Sequence, residues 1–194
     1  MRHPTRLLVF VLAGASGAIV ARAQSQAALP KPGPEVKRLA VMVGRFRNEG
    51  EVKAGAMGPN SPAMKVRGTD ECRWTAGGFG LVCTYTYDIG GTKWGGTSLL
   101  YYDSSSKIYR YHALYNTGEF HDQTGRVSGD TWTWTGESSL GGKVAHTRYV
   151  MKFVSEDSWE YTDSWSESKN PVEPSSTGKD TRVAATKTVS KPEQ

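Results

Sequence analysis

The 194-residue sequence lacks the short motifs that mark the commonest catalytic sites. It contains no Gly-x-Ser-x-Gly nucleophile elbow, no glycine-rich phosphate loop, no His-Glu-x-x-His and no Cys-x-x-Cys. Histidine is scarce too, with four residues in all. These absences exclude an elbow-type serine hydrolase, a P-loop nucleotidase, a zincin and a thioredoxin-like enzyme.

No hydrophobic run is long enough to cross a membrane as a helix, and the longest run lies at the N-terminus. Residues 7–20 form a stretch of apolar and small residues, whereas a transmembrane helix needs roughly 20 apolar residues. Two arginines precede this stretch and Ala21-Arg22-Ala23 follows it, which is the arrangement of a signal peptide with its cleavage site. We therefore predict a signal peptide over residues 1–23, a mature chain from Gln24 without a transmembrane segment, and export to the bacterial periplasm or the extracellular space. An uncleaved N-terminal anchor is the alternative.

Clustered basic residues are absent as well. The net charge is +5, but Arg2, Arg6 and Arg22 belong to the predicted signal peptide, and their removal leaves about +2. Binding to nucleic-acid phosphates needs a concentrated basic surface, and the sequence shows none. We expect no nucleic-acid partner.

Cysteine is limited to Cys72 and Cys83. Two cysteines in an exported chain usually form a disulfide, since the compartment is oxidising. They lie symmetrically about Gly77-Gly78, a pair suited to the positive φ angles of a two-residue hairpin turn, so their side chains would face each other across adjacent strands. A metal site is the alternative, but the spacing and the lack of clear histidine partners do not match zinc sites. We predict a structural disulfide and no metal.

The sequence periodicity changes near residue 45. Before it, apolar residues recur at the 3.6-residue period of a helix that Pro34 begins and Gly44 ends. After it, the period becomes 2, and turn residues separate short segments rich in aromatic and β-branched residues. The apolar stripe of the helix comprises Val36, Leu39, Ala40 and Val43. The predicted strands are residues 45–53, 65–75, 81–87, 92–102, 107–115, 119–127, 131–135, 144–154 and 158–165.

These elements predict an all-β fold: an antiparallel up-and-down, lipocalin-like barrel of about 8–10 strands with one short N-terminal helix, because closure removes the free edges of a long meander. Residues 24–33 form a proline-rich linker, and residues 34–167 form the barrel domain. Residues 54–63 are predicted to cross one mouth of the barrel. Residues 168–194 have no aromatic side chains and are predicted as a flexible C-terminal segment, in which residues 181–189 are the candidate for one closing strand.

Several loose motifs lie along the predicted barrel: residues 39–46, Gly77-Gly78-Phe79, Tyr101-Tyr102-Asp103, Lys107-Ile108-Tyr109 and residues 155–160. The order of the parts resembles the lipocalin-like, or calycin, plan, in which a Gly-x-Trp motif at the first strand plugs the closed end of the barrel. Here Gly44-Arg45-Phe46 takes that place. A closer resemblance, over about residues 34–167, is to a family of uncharacterised exported bacterial proteins, a domain of unknown function with a lipocalin-like barrel. The resemblance implies a fold and no catalytic residues.

One face of several predicted strands is aromatic, and this face supplies a candidate ligand cavity. Trp132 and Trp134 alternate with threonines, and Trp159 and Tyr161 alternate with polar residues. Such a wall suits a small apolar ligand, so the leading hypothesis is a binding module. A small barrel can also be filled by its own side chains, which leaves a structural or interaction protein with a packed core as an alternative. The candidate cavity residues are Phe46, Trp74, Trp132, Trp134, Trp159, Tyr161 and His112.

Histidines suggest two further alternatives. His112 shares a strand face with Arg110 and looks inward if the neighbouring tyrosines face solvent, and a neutral imidazole there could ligate haem iron. His112 or His146 could instead serve as the base of a barrel hydrolase or isomerase. We assign no catalytic residue and expect no cofactor apart from the haem alternative.

Overall fold

The computed structural model describes residues 30–140, 142–167 and 173–184. The predicted signal peptide, residues 1–23, lies outside the described residues, as does the predicted linker up to residue 29. Within the described part of the chain, no helix has the length and apolar character needed to cross a membrane.

The N-terminal helix forms, but most of it is a 3₁₀ helix. Helix α1, Pro34–Lys37, continues directly into a 3₁₀ helix, Arg38–Met42. A 3₁₀ helix has three residues per turn, so side chains three positions apart lie above one another. Ala40, which a 3.6-residue period places on the apolar stripe, is therefore exposed. The buried side chains are those of Val36, Leu39 and Met42.

Ten antiparallel strands follow, and each pairs with its neighbours in sequence. The last strand also pairs with the first, which closes the sheet. The predicted fold class is confirmed: an all-β, up-and-down barrel with one short helix in its N-terminal region. The strands are β1 Gly44–Val52, β2 Met64–Trp74, β3 Gly80–Ile89, β4 Thr92–Asp103, β5 Ile108–Tyr115, β6 Phe120–Ser128, β7 Thr131–Leu140, β8 Lys143–Ser155, β9 Ser158–Ser166 and β10 Ser176–Arg182.

The closing strand lies earlier in the C-terminal segment than the sequence pattern suggests. Residues 181–189 are the predicted candidate, but β10 spans Ser176–Arg182 and pairs with both β1 and β9. Its inward positions carry serine, glycine and aspartate, so it lacks the apolar alternation by which a strand is recognised. Residues 168–172 and 185–194 of the same segment lie outside the described residues.

The β2–β3 hairpin carries the predicted disulfide. Cys72 and Cys83 are bonded as directly opposite residues, with Cα atoms 4.0 Å apart. The predicted two-residue turn is wrong. Gly77-Gly78 does adopt positive φ, but it lies in a short 3₁₀ turn within a longer connection, and the last strand pair is Trp74 with Leu81. The short Cα distance is typical of a non-hydrogen-bonded pair, where opposing side chains are closest.

Phe46 plugs the end of the barrel that the N-terminal helix covers. Its side chain is fully buried, its ring centroid lies 4.3 Å from that of Trp159, and the Arg182 guanidinium lies 4.4 Å from the same centroid. Arg182 also donates hydrogen bonds to the carbonyls of Val41 and Val43, at the end of the 3₁₀ helix. Strand β10 therefore holds the 3₁₀ helix across this end of the barrel through the hydrogen bonds of Arg182.

Candidate functional site

A cavity of about 250 Å³ occupies the part of the lumen that the plug leaves empty. It lies toward the end opposite the N-terminal helix, where β1 and β2 are joined by a long loop. Met57 of this loop contributes to the cavity wall, and the indole N–H of Trp165 donates a hydrogen bond of 3.1 Å to the carbonyl of Ala56. The loop therefore lies across the mouth and narrows the entrance.

Aromatic side chains form much of the cavity wall. Tyr149 and Tyr161 stack with ring centroids 5.4 Å apart. Tyr85 stacks with Tyr87 at 6.1 Å and with Tyr115 at 6.3 Å. They reach the lumen because every second residue of a strand points to the same face of the sheet. The aromatic residues of the wall are Tyr85, Tyr87, Trp94, Tyr111, Tyr115, Trp134, Tyr149, Trp159, Tyr161 and Trp165.

Glycines on neighbouring strands make room for these rings. Gly96 lies opposite Tyr115 and Gly178 lies opposite Tyr161 in the strand pairing. A Cβ atom at Gly96 would be 2.7 Å from Cδ1 of Tyr115, and one at Gly178 would be 2.6 Å from Cζ of Tyr161. Any larger residue would displace the ring. The same arrangement joins Gly68 to Tyr87 and Gly125 to Trp134.

Tyrosine hydroxyls add hydrogen-bonding groups to this wall. The hydroxyls of Tyr85 and Ser98 are 2.5 Å apart, and Tyr161 donates to Oδ1 of Asn48 at 3.3 Å. The Tyr149 hydroxyl has no hydrogen-bond partner among the described residues. Burial raises the pKa of all three phenols above the usual value, so they remain neutral donors at physiological pH.

Two aspartates flank β1 at the inner end of the cavity. The Asn48 amide donates to both carboxylate oxygens of Asp180, at 3.0 and 3.1 Å, and Tyr87 donates to Asp70. Burial raises the pKa of both carboxyls, and the nearby Asp70 charge further raises the pKa of Asp180. Because two adjacent buried carboxylates repel each other, we expect the pair to retain one proton at neutral pH.

Asp163 and His121 are further titratable groups of the wall. Asp163 points into the lumen from β9 and receives no hydrogen bond from a described side chain. Burial raises the pKa of Asp163 to about 7, while the Ser164 backbone N–H acts weakly in the opposite direction. His121 packs 5.2 Å from the Tyr115 ring, and burial lowers its pKa to about 4. At neutral pH His121 is thus uncharged and Asp163 is partly ionised.

The structure places the seven predicted cavity residues in four different settings. Phe46 and Trp132 are buried in the apolar core at the closed end of the barrel and do not line the cavity. Trp74 occupies the last position of β2, beyond the lumen, and is 37% exposed. His112 lies on the outer surface. The residues that do line the cavity are Trp134, Trp159 and Tyr161.

The face of strand β5 that points into the lumen is the one opposite to that required by the haem alternative. Tyr111 faces the lumen, and His112 lies outside with its Nδ1 3.2 Å from Oδ1 of Asp122. His146 also faces outward, 3.8 Å from a carboxylate oxygen of Glu137. Neither histidine lines the cavity, so neither occupies the position that a haem ligand or a base in the lumen would need. The histidine of the cavity is His121.

Most polar groups of the cavity are not predictable from the local sequence pattern. For Asp163 a signal exists, because it shares the alternating face of β9 with Trp159 and Tyr161. No local signal exists for Asp70 and Asp180, since they come together only when β10 closes the barrel against β1. The missed lining residues that carry polar side chains include Asn48, Asp70, Tyr85, Tyr87, Tyr111, Tyr115, His121, Gln123, Tyr149 and Asp163.

A closed up-and-down barrel with one plugged end and one open cavity defines a lipocalin-like protein. The fold is similar to the crystal structure of Rv2717c from M. tuberculosis, with a TM-score of 0.58 and 13% identity over 79% of this chain and 99% of that chain. A de novo designed fluorescence-activating β-barrel gives a TM-score of 0.40 and 14% identity over 73% of this chain and 93% of the design.

Residues 31–173 match the family model described as protein of unknown function DUF1579, and the chain belongs to this family. The match confirms the resemblance to an uncharacterised domain with a lipocalin-like barrel. No curated protein matches the sequence.

Proposed function

We propose that this protein is a binding module that takes a small, mainly apolar molecule into the open half of its barrel. The observation that carries the proposal is the cavity of about 250 Å³ behind the β1–β2 loop. Ligand sites usually measure about 300–1,000 Å³, so this cavity lies just below that range and suits a small ligand. An apolar cavity of about 150 Å³ can hold benzene, which indicates a substituted aromatic ring or a molecule of similar size.

The lining supports the same assignment. Stacked rings such as Tyr149 and Tyr161 provide flat apolar surfaces, and a few hydroxyl, amide and carboxyl groups interrupt them. Binding sites for small molecules typically combine these two kinds of surface, because the apolar part supplies affinity and the polar groups fix orientation.

Ligand titration of the purified chain tests this function. Four tryptophans line the cavity, so intrinsic fluorescence should change when a small aromatic compound or a terpenoid enters, and calorimetry should give a matching saturable isotherm. Native mass spectrometry of the protein as purified would reveal a retained compound. The absence of binding across such a panel would contradict the proposal.

A cavity-filling variant sharpens this test. Ser138 is buried, lines the cavity and lies on β7, so Ser138→Leu should reduce the free volume and weaken binding by about ten-fold or more, which is about 1.4 kcal/mol. Thr135→Leu is the matched control, because Thr135 lies on the outer face of the same strand. Equal affinities of the two variants would show that the ligand binds elsewhere.

We also propose that the protein acts after export. The leader pattern over residues 1–23 and the disulfide between Cys72 and Cys83 support this, since disulfides persist in oxidising compartments. Expression of the full chain in a bacterial host should give a periplasmic protein whose mass corresponds to a start at Gln24. Replacing Ala21 and Ala23 by leucine should block processing. A reduced, full-length protein in the cytosol would contradict export.

A further inference from the structure

The cavity wall has charge of one sign. Among the described residues that line it, the ones that can be charged at neutral pH are Asp70, Glu119 and Asp163, and neither lysine nor arginine is present. His121 also lines the cavity, but its depressed pKa of about 4 keeps it neutral. A ligand with a carboxylate or phosphate group would therefore enter a space without a positive partner and beside negative groups.

Asp163 differs from the other carboxyls of the lumen. Asp180 is bound by the Asn48 amide and Asp70 by the Tyr87 hydroxyl, whereas no described side chain donates a hydrogen bond to Asp163. Asp163 lines the cavity, and the Ser164 backbone N–H is the one hydrogen-bond donor to its carboxyl among the described residues. An incompletely paired carboxylate that is withdrawn from water is costly, and such a group in a cavity wall is most simply explained by a partner that arrives with the ligand.

Aromatic rings surround the same carboxyl. Tyr149 is directly opposite Asp163 in the pairing of β8 with β9, and Tyr161 precedes Asp163 on the same face of β9. The two rings stack at 5.4 Å. The negative face of an aromatic ring attracts ammonium groups, and this attraction is largest where water is excluded.

We propose that the ligand is a small organic cation, an amine or a quaternary ammonium on an apolar body, with its charge beside Asp163 and its body against Tyr149 and Tyr161. This inference rests on the proposed binding function and specifies the chemical class of its ligand. It also predicts that fatty acids and other anions bind weakly, because no described lining residue carries a positive charge at neutral pH.

Ionisation of Asp163 should couple binding to pH. The groups that face it are the phenols of Tyr149 on β8, Tyr161 on β9 and Tyr115 across the lumen, together with Ser176 on β10, and none of these changes charge between pH 6 and 8. With a pKa of about 7, the ionised fraction rises about ten-fold over this interval. The pair of Asp70 and Asp180 also titrates in the lumen, so only the part of the pH dependence that Asp163→Asn removes belongs to Asp163.

Three ligands of similar size and different charge test the inference: 2-phenylethylamine, 2-phenylethanol and phenylacetate. Calorimetry with the purified chain at pH 8 should show the amine binding at least about ten-fold more tightly than the alcohol, and phenylacetate binding most weakly. Asp163→Asn should remove most of the advantage of the amine and change the affinity for the alcohol by much less. Asp122→Asn, which alters an exposed carboxyl on the outer face, is the control and should change neither affinity.

The outcomes separate the two proposals. If none of the three compounds binds, the binding function itself is contradicted. If the alcohol binds as tightly as the amine, or if Asp163→Asn keeps the advantage of the amine, the cation inference is overturned while the binding function stands. Phenyltrimethylammonium provides a second measurement, because its charge is permanent and only the protein titrates. Its affinity for the unaltered chain should rise about ten-fold from pH 6 to pH 8, and most of this rise should be absent in Asp163→Asn. A flat profile, or a rise that the variant keeps, would overturn the inference.

Discussion

The closed and open halves of the barrel lumen are formed by the same strands, but their inward side chains have opposite properties. At the closed end, Leu39, Met42, Phe46 and Trp132 pack into a continuous apolar core with almost no exposed surface. Toward the mouth, inward positions carry tyrosines, aspartates and a histidine around a cavity of about 250 Å³. Because the lumen widens as strands are added, ten strands leave a space that their own side chains do not fill. The same barrel thus contains both a solid core and an unfilled cavity.

This difference assigns stability and binding to separate ends of the molecule. Burial of apolar rings stabilises the closed end. Burial of a carboxyl group such as Asp163 at the other end costs stability, and is tolerated where a ligand can make use of it. Truncation of side chains at the closed end should therefore lower the free energy of unfolding, and truncation of side chains that line the open end should mainly change binding.

Phe46→Ala should have the largest effect on stability. The ring is fully buried and contacts both Trp159 and the Arg182 guanidinium. Truncation of a buried phenylalanine typically lowers the free energy of unfolding by about 3–5 kcal/mol. We expect a loss of that size in urea denaturation followed by tryptophan fluorescence.

Tyr149→Phe is the matched change at the open end. The Tyr149 hydroxyl has no hydrogen-bond partner among the described residues, and its ring remains to stack on Tyr161. We expect a loss below about 0.5 kcal/mol, because no hydrogen bond is broken. Similar losses for Phe46→Ala and Tyr149→Phe would contradict the division of the lumen.

Removal of the disulfide should lower the free energy of unfolding by the next largest amount after Phe46→Ala. Cys72 and Cys83 are separated by 11 positions, and closing a loop of this length is expected to contribute about 2–3 kcal/mol through the unfolded state. The double variant Cys72→Ala/Cys83→Ala should lower the guanidinium midpoint accordingly. In the unaltered protein a reducing agent should have the same effect, and in the variant it should have none. An unchanged midpoint in the variant would show that the bond does not stabilise the fold.

The closed end was more predictable from sequence than the open end. Phe46 lies two residues after a glycine at the start of the first strand, where the family resemblance places a plug. Trp132 and Trp159 alternate with polar residues, so the local pattern places them on the inner face. Nine strands were predicted near their positions, although β7 extends five residues beyond its predicted end at Thr135. The candidate for the tenth, residues 181–189, lies too late in the chain, because the inward residues of β10 are small or polar: Gly178 lies under the Tyr161 ring, and Asp180 is bound by an amide.

The open end depends on information that no single strand contains. Strand β5 has apolar residues on both faces, and Leu114 is 62% exposed while Tyr111 faces the lumen, so alternation alone does not show which face is inside. The choice is made by partners on other strands, such as Gly96, which accommodates the Tyr115 ring. The fold was thus predictable, and the chemistry of the cavity required the strand register.

Gly96→Ala tests the role of these glycines, with the adjacent Gly95→Ala as its control. A Cβ at Gly96 would lie 2.7 Å from the Tyr115 ring, whereas one at Gly95 would lie 3.5 Å from the nearest atom, the carbonyl oxygen of Tyr85. Overpacking of this kind typically costs about 1–3 kcal/mol, so we expect a loss of that size in thermal denaturation for Gly96→Ala. Gly95→Ala should be neutral or stabilising by up to about 1 kcal/mol, since alanine restricts the unfolded chain. Equal effects would show that the ring does not depend on the glycine.

Asp163→Asn should have a smaller effect than Gly96→Ala, and its sign should depend on pH. The pKa of this carboxyl is about 7 in the folded protein and 3.8 as its ordinary value. The folded state therefore binds more protons than the unfolded state between these values, and the stability of the unaltered protein falls as the pH rises from about 4 to about 7.

Asparagine does not titrate, so the variant escapes this loss, although burial of its amide has its own cost of about 1–3 kcal/mol. We expect a net gain of about 1 kcal/mol at pH 8, and a loss at pH 4.5, where the carboxyl of the unaltered protein is protonated. Melting temperatures followed by circular dichroism at the two pH values measure both signs. The Asp70–Asp180 pair and His121 titrate equally in both proteins, so their contributions cancel in the difference. A variant that is less stable than the unaltered protein at pH 8 would contradict this prediction. It would mean that a group in the unliganded barrel already stabilises the Asp163 carboxylate, and that burial of this carboxylate does not lower the stability of the open end.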